Sequence, residues 1–275
     1  MFYHYTSLDT FLAILHGIDY NRKEPVLHLR ASRIDTVNDP TEMTIDKKTF
    51  LSIVQHYEDK NNIDPSLCIS KRIESMDEEE FHGLIKNERS NHLPYIICFS
   101  KKRDFLPMWS LYGDKGRGVC LGFSEDIKFH VDKPALAIHG DVYYQKRPNA
   151  KAITAYLDLY YNIIVKTADE SIEDTVANIY LDGFPFLKHR SYKYENEYRI
   201  CIYNYAEDNS GIIYDSGIIY DRKEPYIYCD IPVSCLTTVT LGAKLCSSIT
   251  PELLGDYFTK KELKIEVKES QIPFR

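Results

Sequence analysis

Four groups of residues in this sequence have types and spacings suited to chemistry. The first is Tyr3-His4-Tyr5-Thr6-Ser7, where an imidazole and a hydroxyl alternate with two tyrosines. In an extended segment, His4 and Thr6 share one face. The second is Glu195-Asn196-Glu197-Tyr198-Arg199. In a strand, 195, 197 and 199 point one way and Tyr198, Ile200 and Ile202 the other. Two carboxylates on one face can raise one pKa or divide roles; exposed ion-pairing residues would give the same pattern. The third runs from Ser100 to Gly118, with Met108, Trp109 and Tyr112 followed by a turn containing three glycines. The aromatic residues there fit a core as well as a ligand stack, and the glycines lack phosphate-loop spacing. The fourth is Lys188, His189, Arg190, Lys193 and Arg199, interleaved with Tyr192 and Tyr194. It reads as a stacking and electrostatic groove for a phosphate-bearing ligand, or as snorkelling surface cations.

These groups need elements to hold them. Ser7 is a good helix N-cap, and Leu8, Phe11, Leu12 and Leu15 form a helical stripe, so a short strand runs into a helix. Strands are predicted at 26–31, 94–100, 119–123, 135–144, 195–202, 226–230, 238–241 and 263–267. Helical patterns cover 44–90, 105–112, 149–182 and 250–258. Asn38-Asp39-Pro40 is a loop signal. A short tandem copy, Ser-Gly-Ile-Ile-Tyr-Asp within 210–221, suits a hairpin. No composition break marks a linker, so a single α+β domain over 1–275 is expected, with 44–90 as a helical insertion in a mainly β core.

Composition narrows the classes. The 275 residues suffice for a substantial core. A net charge of −7 argues against a nucleic-acid-coating surface without excluding a local basic groove. The 22 tyrosines are most simply strand residues on half-buried faces. Seven cysteines, odd in number and never spaced Cys-x-x-Cys, read as small core residues of a reducing compartment. Nine scattered histidines show no ligand spacing, so no metal is expected. With no signal-peptide pattern and no long apolar run, a cytoplasmic protein without a membrane span is expected.

The order Tyr3-His4-Tyr5-Thr6-Ser7, Asn38-Asp39-Pro40-x-Glu42, Cys98-Phe99-Ser100, Met108-Trp109-x-x-Tyr112, Gly118-x-Cys120-Leu121-Gly122-Phe123 and Glu195-x-Glu197-Tyr198-Arg199 resembles a large bacterial domain-of-unknown-function family with a Tyr-His-Tyr opening. Members often lie near mobile or phage-defence genes. That family more distantly resembles ADP-ribosyltransferases of the His-Tyr-Glu type, including DarT-like DNA modifiers. The resemblance implies a split mixed or antiparallel β-sheet holding NAD as substrate in a central cleft, with no metal. It implies that His4, with Tyr5 and Thr6, contacts the nicotinamide end and that Glu197 stabilises the transition state, Glu195 being the fallback. Ser100 or Tyr112 fills the middle position, and Arg30 or Arg33 meets the diphosphate. Lys188, Arg190, Tyr192 and Lys193 would face a nucleic-acid acceptor, DNA or RNA, slightly favoured over protein. The implied activity is ADP-ribose transfer by a toxin or phage-defence effector, with a neutralising antitoxin as an implied partner. An NAD glycohydrolase, an RNA 2′-phosphotransferase-like enzyme and a non-enzymatic sensor are the alternatives.

Overall fold

The computed structural model describes residues 1–37, 43, 46–132, 135–144, 151–164, 172–204, 212–214, 225–245 and 249–273. The Asn38–Glu42 motif and most of the 210–221 tandem copy lie outside them.

The architecture is α+β, built on a ten-stranded sheet that is mixed and mostly antiparallel. β1 (Phe2–Thr6) leads directly into α1 (Leu8–His16). The Ser7 hydroxyl accepts the Thr10 N–H as the N-cap, and Phe11 and Leu15 are buried on the apolar stripe. β2 is Val26–Arg33, β3 Tyr95–Ser100, β4 Val119–Phe123 and β5 Ala135–Asp141. β6 is Glu197–Asn204, β7 Ile213–Tyr214, β8 Pro225–Pro232, β9 Leu236–Leu241 and β10 Glu266–Glu269. Only β10 against β9 runs parallel among these pairs.

The middle of the sheet is split at β3. β6 pairs with β3 from Tyr95 to Ser100 and so takes one whole edge. β1 and β2 must share the other edge. β1 touches it at Tyr3↔Ser100, and β2 at Ser32↔Ile96 and Arg33↔Tyr95. Between those ends the two strands diverge, β1 toward β4 and β2 toward β8. The close run of β4 beside β1 depends on Gly118, where a Cβ would lie 2.1 Å from the Thr6 carbonyl oxygen.

Two cores flank the sheet. One face carries Leu27, Leu29, Ile97, Phe99, Val119, Leu121, Ile200 and Ile202, all buried with α1 and with α8 (Pro251–Lys260). The other face carries Ile96, Cys201 and Tyr203 against a helical layer. That layer comprises α2 (Lys47–Lys60), α3 (Ser70–Ser75), α4 (Glu78–His92), α6 (Lys151–Leu159) and α7 (Ile172–Gly183). The predicted 44–90 helical stretch is thus three helices whose apolar positions Phe50, Ile53, Val54, Ile73 and Phe81 are buried. Asp77 caps α4 by accepting the Glu80 N–H. In α7, burial raises the Asp182 carboxyl to about 6 against the lowering effect of the Tyr203 hydroxyl.

A smaller cluster of Tyr3, Tyr5, Met108, Trp109 and Cys120 seats α5 (Leu106–Leu111) against β1. Trp109 is fully buried, so the core reading holds for it, whereas Met108 and Tyr112 also line a cavity. The described cysteines Cys68, Cys98, Cys120, Cys201, Cys229 and Cys235 are all free. Among the described residues, no helix is long and apolar enough to cross a membrane and no cluster of ligating side chains could hold a metal.

Candidate functional site

A cavity of about 310 Å³ opens over the split in the sheet. β1 supplies Tyr3, His4 and Tyr5, β2 supplies Arg30 and Ser32, and β3 supplies Ile96, Cys98 and Ser100. Met108 and Tyr112 come from α5 and its end, and Glu197 and Arg199 from β6. Lys188 and Glu195 come from the turns before β6. Residues almost two hundred positions apart, His4 and Glu197, therefore face one space.

His4 sits in the split itself. Its Nδ1 lies 3.0 Å from the Cys98 carbonyl oxygen. A carbonyl only accepts, so Nδ1 carries the proton and Nε2 is an acceptor. The bond satisfies a β3 carbonyl on the edge that β1 and β2 leave between them. Burial lowers the imidazole pKa and outweighs that hydrogen bond, so the ring is neutral at pH 7. Thr6 is also buried, but it is not among the lining residues; Tyr3 and Tyr5 take the wall instead. The Tyr5 hydroxyl is committed to structure, donating to the Lys102 carbonyl at 2.8 Å.

The opposite wall is a buried charged quartet. Lys188 Nζ lies 2.7 Å from Glu195 Oε2 and 3.2 Å from Glu197 Oε2. Arg199 donates through Nε to Glu197 Oε1 at 2.6 Å and through Nη2 to Oε2 at 3.1 Å. Its Nη1 donates to the Pro185 carbonyl at 2.6 Å. Glu195 accepts the Tyr112 hydroxyl at Oε1, 2.8 Å away. Asn196 between the two carboxylates is left-handed, with φ 46°. That kink ends a 3-10 turn over Arg190–Glu195, so Glu195 is not a strand residue as the alternation implied. The turn is pinned by Ser100, whose hydroxyl donates to the Glu195 carbonyl at 2.6 Å and accepts the Lys102 N–H at 3.0 Å.

The two carboxylates feel opposite environments. Burial would raise Glu197, but Arg199 and Lys188 together overcome it and hold its carboxyl down at about 2. For Glu195 burial prevails over the Lys188 charge and the carboxyl is raised. Burial also pushes the Tyr112 hydroxyl up, reinforced by Glu195, so the phenol stays protonated as a donor. Lys188 is raised: desolvation opposes its charge, and the two glutamates more than restore it.

Not every predicted site residue meets here. Arg30 lines the cavity with its guanidinium 4.1 Å over the Tyr226 ring, whereas Arg33 pairs with Asp35 at 2.7 Å away from it. The basic strip at 188–193 divides. Lys188 points inward and is buried, which corrects its assignment to a nucleic-acid surface; the two carboxylates supply the charge that lets it leave water. Arg190 and Lys193 are exposed, and Tyr192 lies 4.8 Å under the Lys188 ammonium. Arg199, taken in sequence as a basic surface residue, is fully buried. Its place two residues after Glu197 within an apolar strand is the signal that reveals it. Tyr144, whose hydroxyl accepts the Glu197 N–H at 2.6 Å, left no sequence signal.

No curated protein and no solved structure matches the chain. The model of one family, described as a protein of unknown function (DUF2971), matches residues 108–200. That stretch carries Tyr112, Lys188, Glu195, Glu197 and Arg199 and stops short of β1 and His4, so the likeness to a family of unknown function covers one wall of the cavity.

Proposed function

We propose that this chain is an NAD-dependent ADP-ribosyltransferase acting on a macromolecular acceptor. The observation that carries the reading is the shared cavity: His4 on one side of a split sheet, Tyr112 and the 195/197 carboxylates on the other. At about 310 Å³ it lies at the lower end of small-molecule sites, a size suited to the nicotinamide and its ribose rather than to a whole dinucleotide.

Breaking the bond to nicotinamide develops positive charge on the ribose, as in glycoside hydrolysis. Glu197, held ionised, is a fixed negative charge beside that position and needs no reorganisation during the step. Glu195, raised by burial and hydrogen-bonded by Tyr112, suits proton transfer from the attacking acceptor group. Two carboxylates whose environments separate their pKa values divide acid–base and electrostatic roles. Neutral His4 accepts a ribose hydroxyl through Nε2. Tyr3 and Tyr5 form the aromatic wall for the ring.

One observation favours a second reading, a ligand-binding module without chemistry. Glu197 is bonded at both oxygens by Arg199 and at one by Lys188, so its charge is already met inside the protein. The two readings separate in one assay. Labelled NAD is incubated with the protein and with total DNA, RNA or protein, and nicotinamide release and acceptor labelling are measured. Release that disappears in Glu195→Gln supports the transferase. Release with free ADP-ribose and no labelled acceptor indicates a glycohydrolase. Binding of NAD without release, with any of the acceptors present, leaves the binding module.

A further inference from the structure

The wall that carries Met108 and Tyr112 has an unusual support. α5 begins at Phe105, which offers no side-chain cap to the helix. The residue before it, Asp104, is left-handed, with φ 50°, a conformation Asp tolerates better than most residues. Its carboxylate collects three donors. Oδ1 accepts the Trp109 indole N–H at 2.8 Å and the Ser270 hydroxyl at 2.5 Å. Oδ2 accepts the Gln271 backbone N–H at 2.8 Å. The Ser270 hydroxyl in turn accepts the Ile272 N–H at 3.2 Å, and Ile272 packs on the cluster of Tyr3, Tyr5, Met108 and Trp109.

The segment reaches this point from β10, which pairs with β9; Ser270 N–H donates to the Leu241 carbonyl at 2.8 Å. It thus ties the far edge of the sheet to a helix more than 150 residues earlier. From α5 the connection continues. Tyr112 closes the helix through its N–H to the Met108 carbonyl at 2.9 Å, and its hydroxyl holds Glu195.

We propose that Asp104 and the segment Ser270–Ile272 form a strap that positions Tyr112, and through Tyr112 the Glu195 carboxylate, across the cavity. Asp104 does not line the cavity, and its carboxylate bonds go to Trp109, Ser270 and Gln271 and not to Glu195, so it is a positioning residue. Its carboxylate fixes Trp109, Trp109 fixes the rotation of α5 about its own axis, and that rotation sets the Tyr112 hydroxyl. A network of this kind transmits displacement because each link is a directional bond between packed groups. The inference deepens the reading of this cavity as a reaction site, yet its test needs no ligand.

The test is amide hydrogen exchange on the full chain, comparing Ser270→Ala with wild type, each also in a Tyr112→Phe background. Ser270→Ala removes the bond to Asp104 and the acceptor of the Ile272 N–H, but it leaves the backbone pairing of β10 and the Ser270 N–H bond to Leu241 in place, so it retains the fold. The expected result is at least a 5-fold rise in exchange over residues 106–113 and a matching rise over 192–197. In the Tyr112→Phe background, only 106–113 should respond to Ser270→Ala. Emission of Trp109, the single tryptophan, reports the same loosening independently. Unchanged exchange at 192–197 in Ser270→Ala overturns the strap. So does the same change at 192–197 with and without the Tyr112 hydroxyl, which would mark general destabilisation. If the coupling is found but wild type neither binds nor cleaves NAD, the strap stands and the transferase reading falls.

Discussion

The Tyr112 hydroxyl donates to Glu195 Oε1 at 2.8 Å, joining α5 to the turn that precedes β6. Because Glu195 also meets Lys188 at 2.7 Å, and Lys188 meets Glu197 at 3.2 Å, one chain of bonds runs along the whole wall of the cavity. The wall contains two positive and two negative side chains, all at most 7% exposed. Its consequences for stability and activity differ residue by residue.

Glu195 and Glu197 should separate cleanly in mutagenesis. Glu195→Gln keeps a neutral acceptor for Tyr112 and preserves the volume. Nicotinamide release should fall by about 10²–10⁴-fold, the usual worth of a positioned acid–base group, with a smaller melting loss than in Glu197→Gln because Lys188 keeps Glu197 at 3.2 Å. Glu197→Gln leaves Arg199 buried without a compensating charge and should destabilise by about 3–5 kcal/mol. Calorimetry alongside the NAD assay distinguishes them. Equal melting losses in both variants would contradict the division.

Lys188→Met should act as a stability mutation. Removing the buried ammonium leaves two carboxylates facing each other, a loss of about 3–5 kcal/mol, or on the order of 10 °C in melting temperature for a chain of this size. If the protein binds nucleic acid, the slope of affinity against salt should be the same in Lys188→Met and wild type. The slope should drop by roughly one in Lys193→Ala if that exposed cation meets a phosphate. A lower slope in Lys188→Met would return Lys188 to the surface.

Acid stability follows from the Glu197 shift. Its folded pKa, about 2, lies below the ordinary 4.5. The stability it contributes is therefore complete above about pH 4.5 and is lost as pH falls toward about 2. Glu195 is raised and has the opposite sign: its ionisation costs the folded state, and protonation relieves that cost as pH falls. Urea unfolding between pH 2 and 7 should show a steep acid loss that Glu197→Gln flattens and Glu195→Gln leaves in place.

Asp182 in α7 offers a stabilising change. Its carboxyl is raised from 3.8 to about 6, so at pH 7 it is ionised at a cost to the folded state. That cost is roughly 1–3 kcal/mol, allowing for its partial exposure. Asp182→Asn should raise the melting temperature at pH 7–8 and should have little effect near pH 4, where the native carboxyl is already protonated. A loss of stability at pH 8 would show that the charge, not the amide-like shape, serves the Tyr203 contact.

The elements were legible in the chain because their patterns are local. Ser7 followed by the Leu8, Phe11 and Leu15 stripe determined a capped helix, and the apolar run 94–100 determined a buried central strand. Alternation from Glu197 to Ile202 placed Glu197 and Arg199 on one face and Tyr198, Ile200 and Ile202 on the other, as found. The nomination of His4, Tyr112, Glu195 and Glu197 as members of one site began from residue type and resemblance, and all four line the cavity. What the chain alone did not decide is which charges leave water. Lys188, Arg190 and Lys193 look alike in sequence, but only Lys188 meets two carboxylates, brought to it by the left-handed turn at Asn196 and by the Ser100 bond to the Glu195 carbonyl. Thr6 shares a strand face with His4, yet only His4 lines the cavity, its imidazole bonded to the Cys98 carbonyl. Spacing determines a side chain's face; burial energy depends on partners that arrive from other strands, so the tertiary structure alone could choose between a surface cation and the centre of the site.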